Sequence, residues 1–131
     1  MNFSANNYIN FETFDEKKLD ILIQLGKDLN EDVLSEMLAT YFSSTDQTVE
    51  MLKINFANSD FASIARLTHK HKSSCGQLGL IKLHKLCTDL ETYLKPDNTF
   101  INSNDVMEFL NAIYLEIDLT GTMLRNFLKA A

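Results

Sequence analysis

The chain predicts an all-α fold: an antiparallel four-helix bundle with an additional short N-terminal helix or tail. Three observations lead there. One proline and four glycines in 131 residues supply too few punctuators for a turn-rich β fold. Apolar residues recur at i, i+3, i+4 and i+7 over long segments, while period-2 alternation is weak everywhere. The breaks between those segments are short, which makes neighbouring helices antiparallel. The length fits one domain, divided here into an N-terminal segment, residues 1–14, and a bundle, residues 15–131.

The N-terminal segment is rich in Asn and carries Phe3, Phe11 and Phe14 without a sustained period, so it reads as a mobile tail or a short capping helix. A first helix is expected from Asp15 to Lys27, with Leu19, Leu22, Ile23 and Leu25 on its apolar side and Gly26 marking its end. A second runs from Glu31 to Ser43, with Asn30 as its N-cap and Val33, Leu34, Met37, Leu38, Tyr41 and Phe42 as its face. Ser43-Ser44-Thr45-Asp46 marks a break or kink, after which Gln47–Ala57 either forms a separate helix or continues the second. Asn58-Ser59-Asp60 supplies caps for a helix from Phe61 to Cys75, and Gly76 and Gly79 bracket a turn. The next helix, Leu80–Leu94, is stopped by Lys95-Pro96, because proline cannot continue a helix and restricts the residue before it. Asn104 or Asp105 caps a last helix that runs to Lys129, with Gly121 as an interruption.

Charge and composition exclude several functions. Twelve basic against eighteen acidic residues leave a net charge of −6, which repels a phosphate backbone, so no nucleic-acid partner is expected. No run is long and apolar enough to span a membrane, and the start lacks the basic and apolar regions of a signal segment. Two isolated thiols, Cys75 and Cys87, fit reduced, buried residues in a cytoplasmic protein better than a disulfide framework. Glycine-rich phosphate loops are absent, and no Glu-x-x-His pair suggests a di-iron bundle.

Chemistry concentrates in Arg66–Gly79. The steps Ile64, Thr68, His71, Cys75 and Leu78 alternate by four and three, the inward seam of a helix, so His71 is expected at the core or its edge. The row Ala62, Arg66, His69, Ser73 and Gly76 lies on another side, where small neighbours leave the His69 imidazole accessible, with Lys70 and Lys72 beside it. If the next helix folds back across the Gly76–Gly79 turn, His69 comes opposite Asp89–Glu91. A carboxylate at Glu91 would accept the Nδ1–H of His69, fix the tautomer and leave Nε2 as a nucleophile. The two lysines would then balance an arriving phosphoryl group. His71 and Cys75 at i, i+4, with His69, make a weak zinc pattern that lacks a fourth ligand, so no metal is expected. His84 reads as a solvated or edge residue.

The segment Thr68-His69-Lys70-His71-Lys72-Ser73-Ser74-Cys75-Gly76-Gln77-Leu78-Gly79 resembles the signature of histidine-containing phosphotransfer domains, Ala-His-x-Leu-Lys-Gly-Ser-Ser-x-x-Leu-Gly. His69, Lys72, Ser74, Leu78 and Gly79 stand in register with it. The downstream pattern Leu-x-x-x-Cys-x-x-Leu-Glu is met by Leu83, Cys87, Leu90 and Glu91. The resemblance is detailed over residues 15–95 and extends only in kind to the last helix. Three positions depart from the pattern: Ser73 for Gly, His71 for an apolar residue and Thr68 for Ala. The serine predicts weakened rather than abolished docking.

The resemblance implies a phosphorelay module without cofactor. His69 would accept a phosphoryl group from a receiver-domain aspartyl phosphate, or from a kinase, and pass it to another receiver. Lys72 and Lys70 would be the basic support, and Glu91 the partner of the histidine. Ala62, Ala65, Ser73, Gly76, Gln77 and Gly79 would form the receiver-docking face. The partners implied are receiver domains of response regulators or a hybrid sensor histidine kinase, and any magnesium would belong to the receiver. The chain itself would be a carrier rather than a kinase, and a monomer, with little sequence outside the bundle for a further domain. The alternatives are an adaptor that binds a receiver through the same face without accepting phosphate and, more weakly, a metal-binding bundle.

Overall fold

The structure, a computed structural model, describes residues 3–130; Met1 and Asn2 of the expected N-terminal segment and Ala131 of the expected bundle lie outside it. Five helices follow one another: α1 Glu16–Leu29, α2 Val33–Ala57, α3 Phe61–Leu78, α4 Ile81–Tyr93 and α5 Ser103–Ala130. No strand occurs among the described residues. The pairs α2–α3, α3–α4, α4–α5 and α2–α5 close a four-helix ring, and α1 packs against α2. The core is the ring's interior, with Leu38 and Leu52 from α2, Ile64 and Cys75 from α3, Leu83 and Leu90 from α4, and Phe109 and Ile113 from α5.

Helix ends and helix continuity differ from the sequence expectation at several positions. Gly26 does not end α1. It is buried inside it, and a Cβ there would stand 2.5 Å from the Glu31 carbonyl oxygen, so glycine is required by the chain folding back over it. Asn30 takes the left-handed conformation that ends α1, with φ 55°, and Asp32, not Asn30, caps α2 by accepting the Ser35 N–H. Ser43–Asp46 forms no break, because Tyr41, Thr45, Thr48 and Leu52 continue the inward seam and α2 runs through. At the far end Asn102, ahead of both expected caps, accepts the Asp105 N–H at 2.9 Å, and Gly121 lies buried within an unbroken α5.

Two ends bear directly on the site. Asp60 caps α3 twice over, accepting the Ser63 N–H at 3.0 Å and the Ser63 hydroxyl at 2.6 Å. α3 then continues through Gly76 and ends at Gly79, whose φ of 70° turns the chain sharply into α4. Leu80 offers α4 no side-chain cap, and the Lys82 N–H is instead taken by the Glu12 carbonyl at 3.1 Å.

That carbonyl belongs to the N-terminal segment, which contains one short helix. One 3-10 turn, Ala5–Tyr8, sits within a strap laid on α4 and α5. Phe3 meets Phe109 edge-on at 4.9 Å and Phe14 meets Phe127 at 5.9 Å. Tyr8 is buried and donates its hydroxyl to Asp89 Oδ2 at 2.6 Å; burial and the Asp89 carboxylate push its pKa upward.

Candidate functional site

The tight turn at Gly79 folds α4 back along α3, so residues equidistant from Leu80 face each other. His69 therefore meets Glu91, and Gly76 meets His84. The His69 side chain is 66% exposed, and its Nδ1 lies 2.6 Å from Glu91 Oε2. A carboxylate only accepts, so Nδ1 carries the proton, and in the neutral form of the ring the lone pair is on Nε2, away from Glu91. The other carboxylate oxygen, Oε1, accepts from Lys72 Nζ at 3.1 Å. Burial pushes the Glu91 pKa up, but the hydrogen bonds and charges of Lys72 and His69 outweigh it and hold the carboxyl below its ordinary value.

The electrostatics of α3 suit an anion. The helix carries Arg66, Lys70 and Lys72 and no carboxylate, in a chain of net charge −6. Lys70 is exposed and takes part in none of the four ion pairs of the described residues. Lys72 is engaged by Glu91, so the two lysines are not equivalent.

The expected docking residues do not all share one surface. Ala62, Ser73, Gly76 and Gln77 are exposed on α3. Ala65 is half-buried and packs against the core. Gly79 lies off this face: a Cβ there would stand 2.9 Å from the Lys18 Cβ of α1, and its carbonyl accepts the Asp15 N–H at 2.8 Å. Its role is the turn. Gln77 faces α2, where it lines a shallow groove of about 270 Å³ with Met37, Ser44 and Ser74. A larger groove of about 790 Å³ runs between α1, the start of α2 and the end of α5, with no histidine or cysteine in its wall.

His71 is turned inward, 5% exposed, with its ring 5.7 Å from that of Tyr41. Burial lowers its pKa to about 4, so the ring is neutral at physiological pH. Its Nε2, the Tyr41 hydroxyl and Thr45 Oγ1 are buried without a hydrogen-bond partner among the described residues. Cys75 and Cys87 are buried free thiols, and the neighbouring Cys87, followed by burial, raises the Cys75 pKa. No group of three or more His, Cys, Asp or Glu among the described residues has the geometry to hold a metal ion.

Sequence reading did not find two contacts beside the site. The His84 ring lies over bare Gly76, 3.7 Å from where a Cβ would stand. Tyr8, eighty-one positions away, braces Asp89 two residues before Glu91. The antiparallel register contained the first signal; no spacing pattern announces the second.

The bundle thus holds one imidazole at its surface, its inner nitrogen bound to a carboxylate on the next helix. The Hpt domain model matches residues 36–121, and the chain belongs to the Hpt domain family. Comparison with individual curated proteins finds no match. Hpt domains serve phosphotransfer in two-component signalling, as carriers rather than kinases, and interact with receiver domains and kinases. No helix among the described residues is long and apolar enough to cross a membrane.

Proposed function

We propose that the protein is a phosphorelay intermediate in which His69 accepts a phosphoryl group from a receiver-domain aspartyl phosphate, or from a kinase, and passes it to a second receiver. The observation that carries this reading is the His69–Glu91 pair: an exposed ring whose Nδ1 is 2.6 Å from Glu91 Oε2. The Nε2 lone pair attacks phosphorus, and an N–P bond forms as the acyl P–O bond breaks. The bonding electrons leave with the donor's aspartate. Nδ1 keeps its proton, and Glu91 balances the positive charge that develops on the ring. Transfer onward reverses these steps on another aspartate.

No nucleotide or magnesium is needed in this chain for that exchange; the receiver supplies its own metal. Phosphoryl transfer is governed by positioning and charge neutralisation, and α3 supplies both, a rigid helical base and a cationic flank. The exposed α3 residues Ala62, Ser73, Gly76 and Gln77 are the proposed receiver contact.

Incubation with a receiver phosphorylated by labelled phosphate tests the reading. Label is expected to appear on the native chain as acid-labile, base-stable phosphate, and none on His69→Gln. Equal labelling of His69→Gln would overturn it. Receiver binding with no label ever transferred would favour the adaptor instead.

A further inference from the structure

We infer that the α2–α3 interface binds one internal water molecule, shared by the Tyr41 hydroxyl, Thr45 Oγ1 and His71 Nε2. These are the buried side-chain nitrogen and oxygen atoms without a hydrogen-bond partner among the described residues, and they are not scattered through the fold. Tyr41 and Thr45 stand one turn apart on the inner face of α2, and the Tyr41 and His71 rings lie 5.7 Å apart, tilted by 32°. None of the three residues is more than 5% exposed, so bulk solvent does not serve them.

Other buried hydroxyls of the bundle are paired. Thr68, also facing inward, donates to the Ile64 carbonyl one turn back at 2.7 Å, and Thr120 donates to Glu116 Oε2 at 3.3 Å. Thr45 has the same local choice, the Tyr41 carbonyl, and does not take it. Its hydroxyl is close enough to Tyr41 to oppose the rise that burial gives the Tyr41 pKa, yet the two oxygens make no bond of their own. Three clustered polar atoms kept dry are costly, since each gives up its hydration and receives no bond in return.

The chemistry of the three fits one water. Burial keeps the His71 ring neutral, so in its Nδ1–H form Nε2 is an acceptor. A water molecule can donate to His71 Nε2 and Thr45 Oγ1 while accepting from the Tyr41 hydroxyl, three bonds, the usual number for an internal water. The shallow groove of about 270 Å³, whose wall includes Tyr41, gives it a route from solvent. His71 stands where the Hpt signature has an apolar residue, so the site belongs to this chain rather than to the signature. The molecule pins α2 to α3 on the inner side of the helix that carries His69 and takes no part in phosphoryl transfer.

Two measurements test this. Diffraction from crystals of the native chain should show one ordered solvent peak within about 3.2 Å of all three atoms. Thermal melts at neutral pH then compare Tyr41→Phe, Thr45→Val, His71→Leu and the triple variant, changes that keep side-chain shape close to native. Each single change is expected to lower the midpoint by about 3–5 °C, because it takes one bond from a shared water and leaves the other two groups buried. The triple variant, in which no polar atom needs the water, should lose much less than the sum of the three. Midpoints that rise in the single variants mark groups that were dry and overturn the inference. A triple loss equal to that sum overturns it too, as does a map without the peak or one in which the three atoms bond directly to one another.

Discussion

His69 and His71 stand two residues apart on α3, and the helix turns by about 200° between them. One ring is 66% exposed and bound at Nδ1 by a carboxylate; the other is 5% exposed beside Tyr41, with its Nε2 unpaired. Sequence proximity gives them the same neighbours in the chain, and the fold gives them opposite chemistry. The surroundings of an imidazole here therefore belong to a helix face and its opposite helix rather than to histidine as such. The inward ring cannot reach a partner, and the outward ring contributes nothing to the core.

The largest expected effect separates the two faces outright. His69→Gln should abolish phosphoryl uptake, measured by label transfer from a phospho-receiver, and leave the thermal midpoint within a few degrees of the native value. His71→Leu should keep uptake within a few-fold, because its side chain takes no part in the His69–Glu91 pair. Loss of uptake in the second variant, with its melting curve intact, would break the comparison.

The next effect is a pH dependence that only the inner histidine produces. Its folded-state pKa is about 4, below the unfolded value near 6.5. Above 6.5 neither state binds the proton, so His71 costs nothing. As pH falls toward 4 the unfolded chain takes up a proton that the folded chain refuses, and stability falls. The full penalty is about 3 kcal/mol once pH is below the folded value. Glu91, whose pKa is lowered, also contributes stability that is lost in acid, whereas buried Glu116, whose pKa is raised by its burial, runs the other way. Denaturant melts of native protein and His71→Leu between pH 7 and 4.5 isolate the histidine. The native curve should fall more steeply, and parallel curves would refute the assignment.

How far the sequence could foresee this comparison follows from the range of the forces involved. The two faces of α3 were legible because helical periodicity is local: steps of three and four placed Ile64, Thr68, His71, Cys75 and Leu78 inward, all of which are buried. The His69–Glu91 pairing was legible because the turn at Gly79 is short and fixes the antiparallel register. What escaped depends on contacts at a distance. The role of Gly26 is set by the Glu31 carbonyl crossing it, and the choice between a broken and a continuous α2, which the sequence left open, by two threonines that the ring buries. The resemblance implies Lys72 as phosphate support, and only the position of Glu91 Oε1 shows what holds it. The strap is the extreme case, since nothing local to Tyr8 announces Asp89.

A smaller effect tests whether the strap supports the outer face. Tyr8→Phe removes the 2.6 Å bond to Asp89 and leaves the ring's packing on Phe3 in place. A loss of about 1.5–3 kcal/mol is expected in denaturant melts, the range for a hydrogen bond to a charged acceptor. Asp89 keeps Lys85 as a partner at 3.0 Å, which holds the loss toward the lower figure. Faster amide exchange in α4 with α2 unaffected would be the accompanying sign.

The smallest effect on stability has the opposite sign, and it divides folding from docking on the same face. Gly76 lies inside α3, and a Cβ there would meet only the His84 ring, at 3.7 Å and beyond, an ordinary contact. Gly76→Ala should therefore stabilise the chain by up to about 1 kcal/mol, because alanine loses less backbone freedom in a helix than glycine does. The same methyl group stands on the proposed receiver contact, two turns along α3 from His69. Weaker receiver binding from a more stable protein would show that Gly76 is there for a partner's approach. Unchanged binding would remove Gly76 from the contact and confine docking to the Ala62–Ser73 end of the helix.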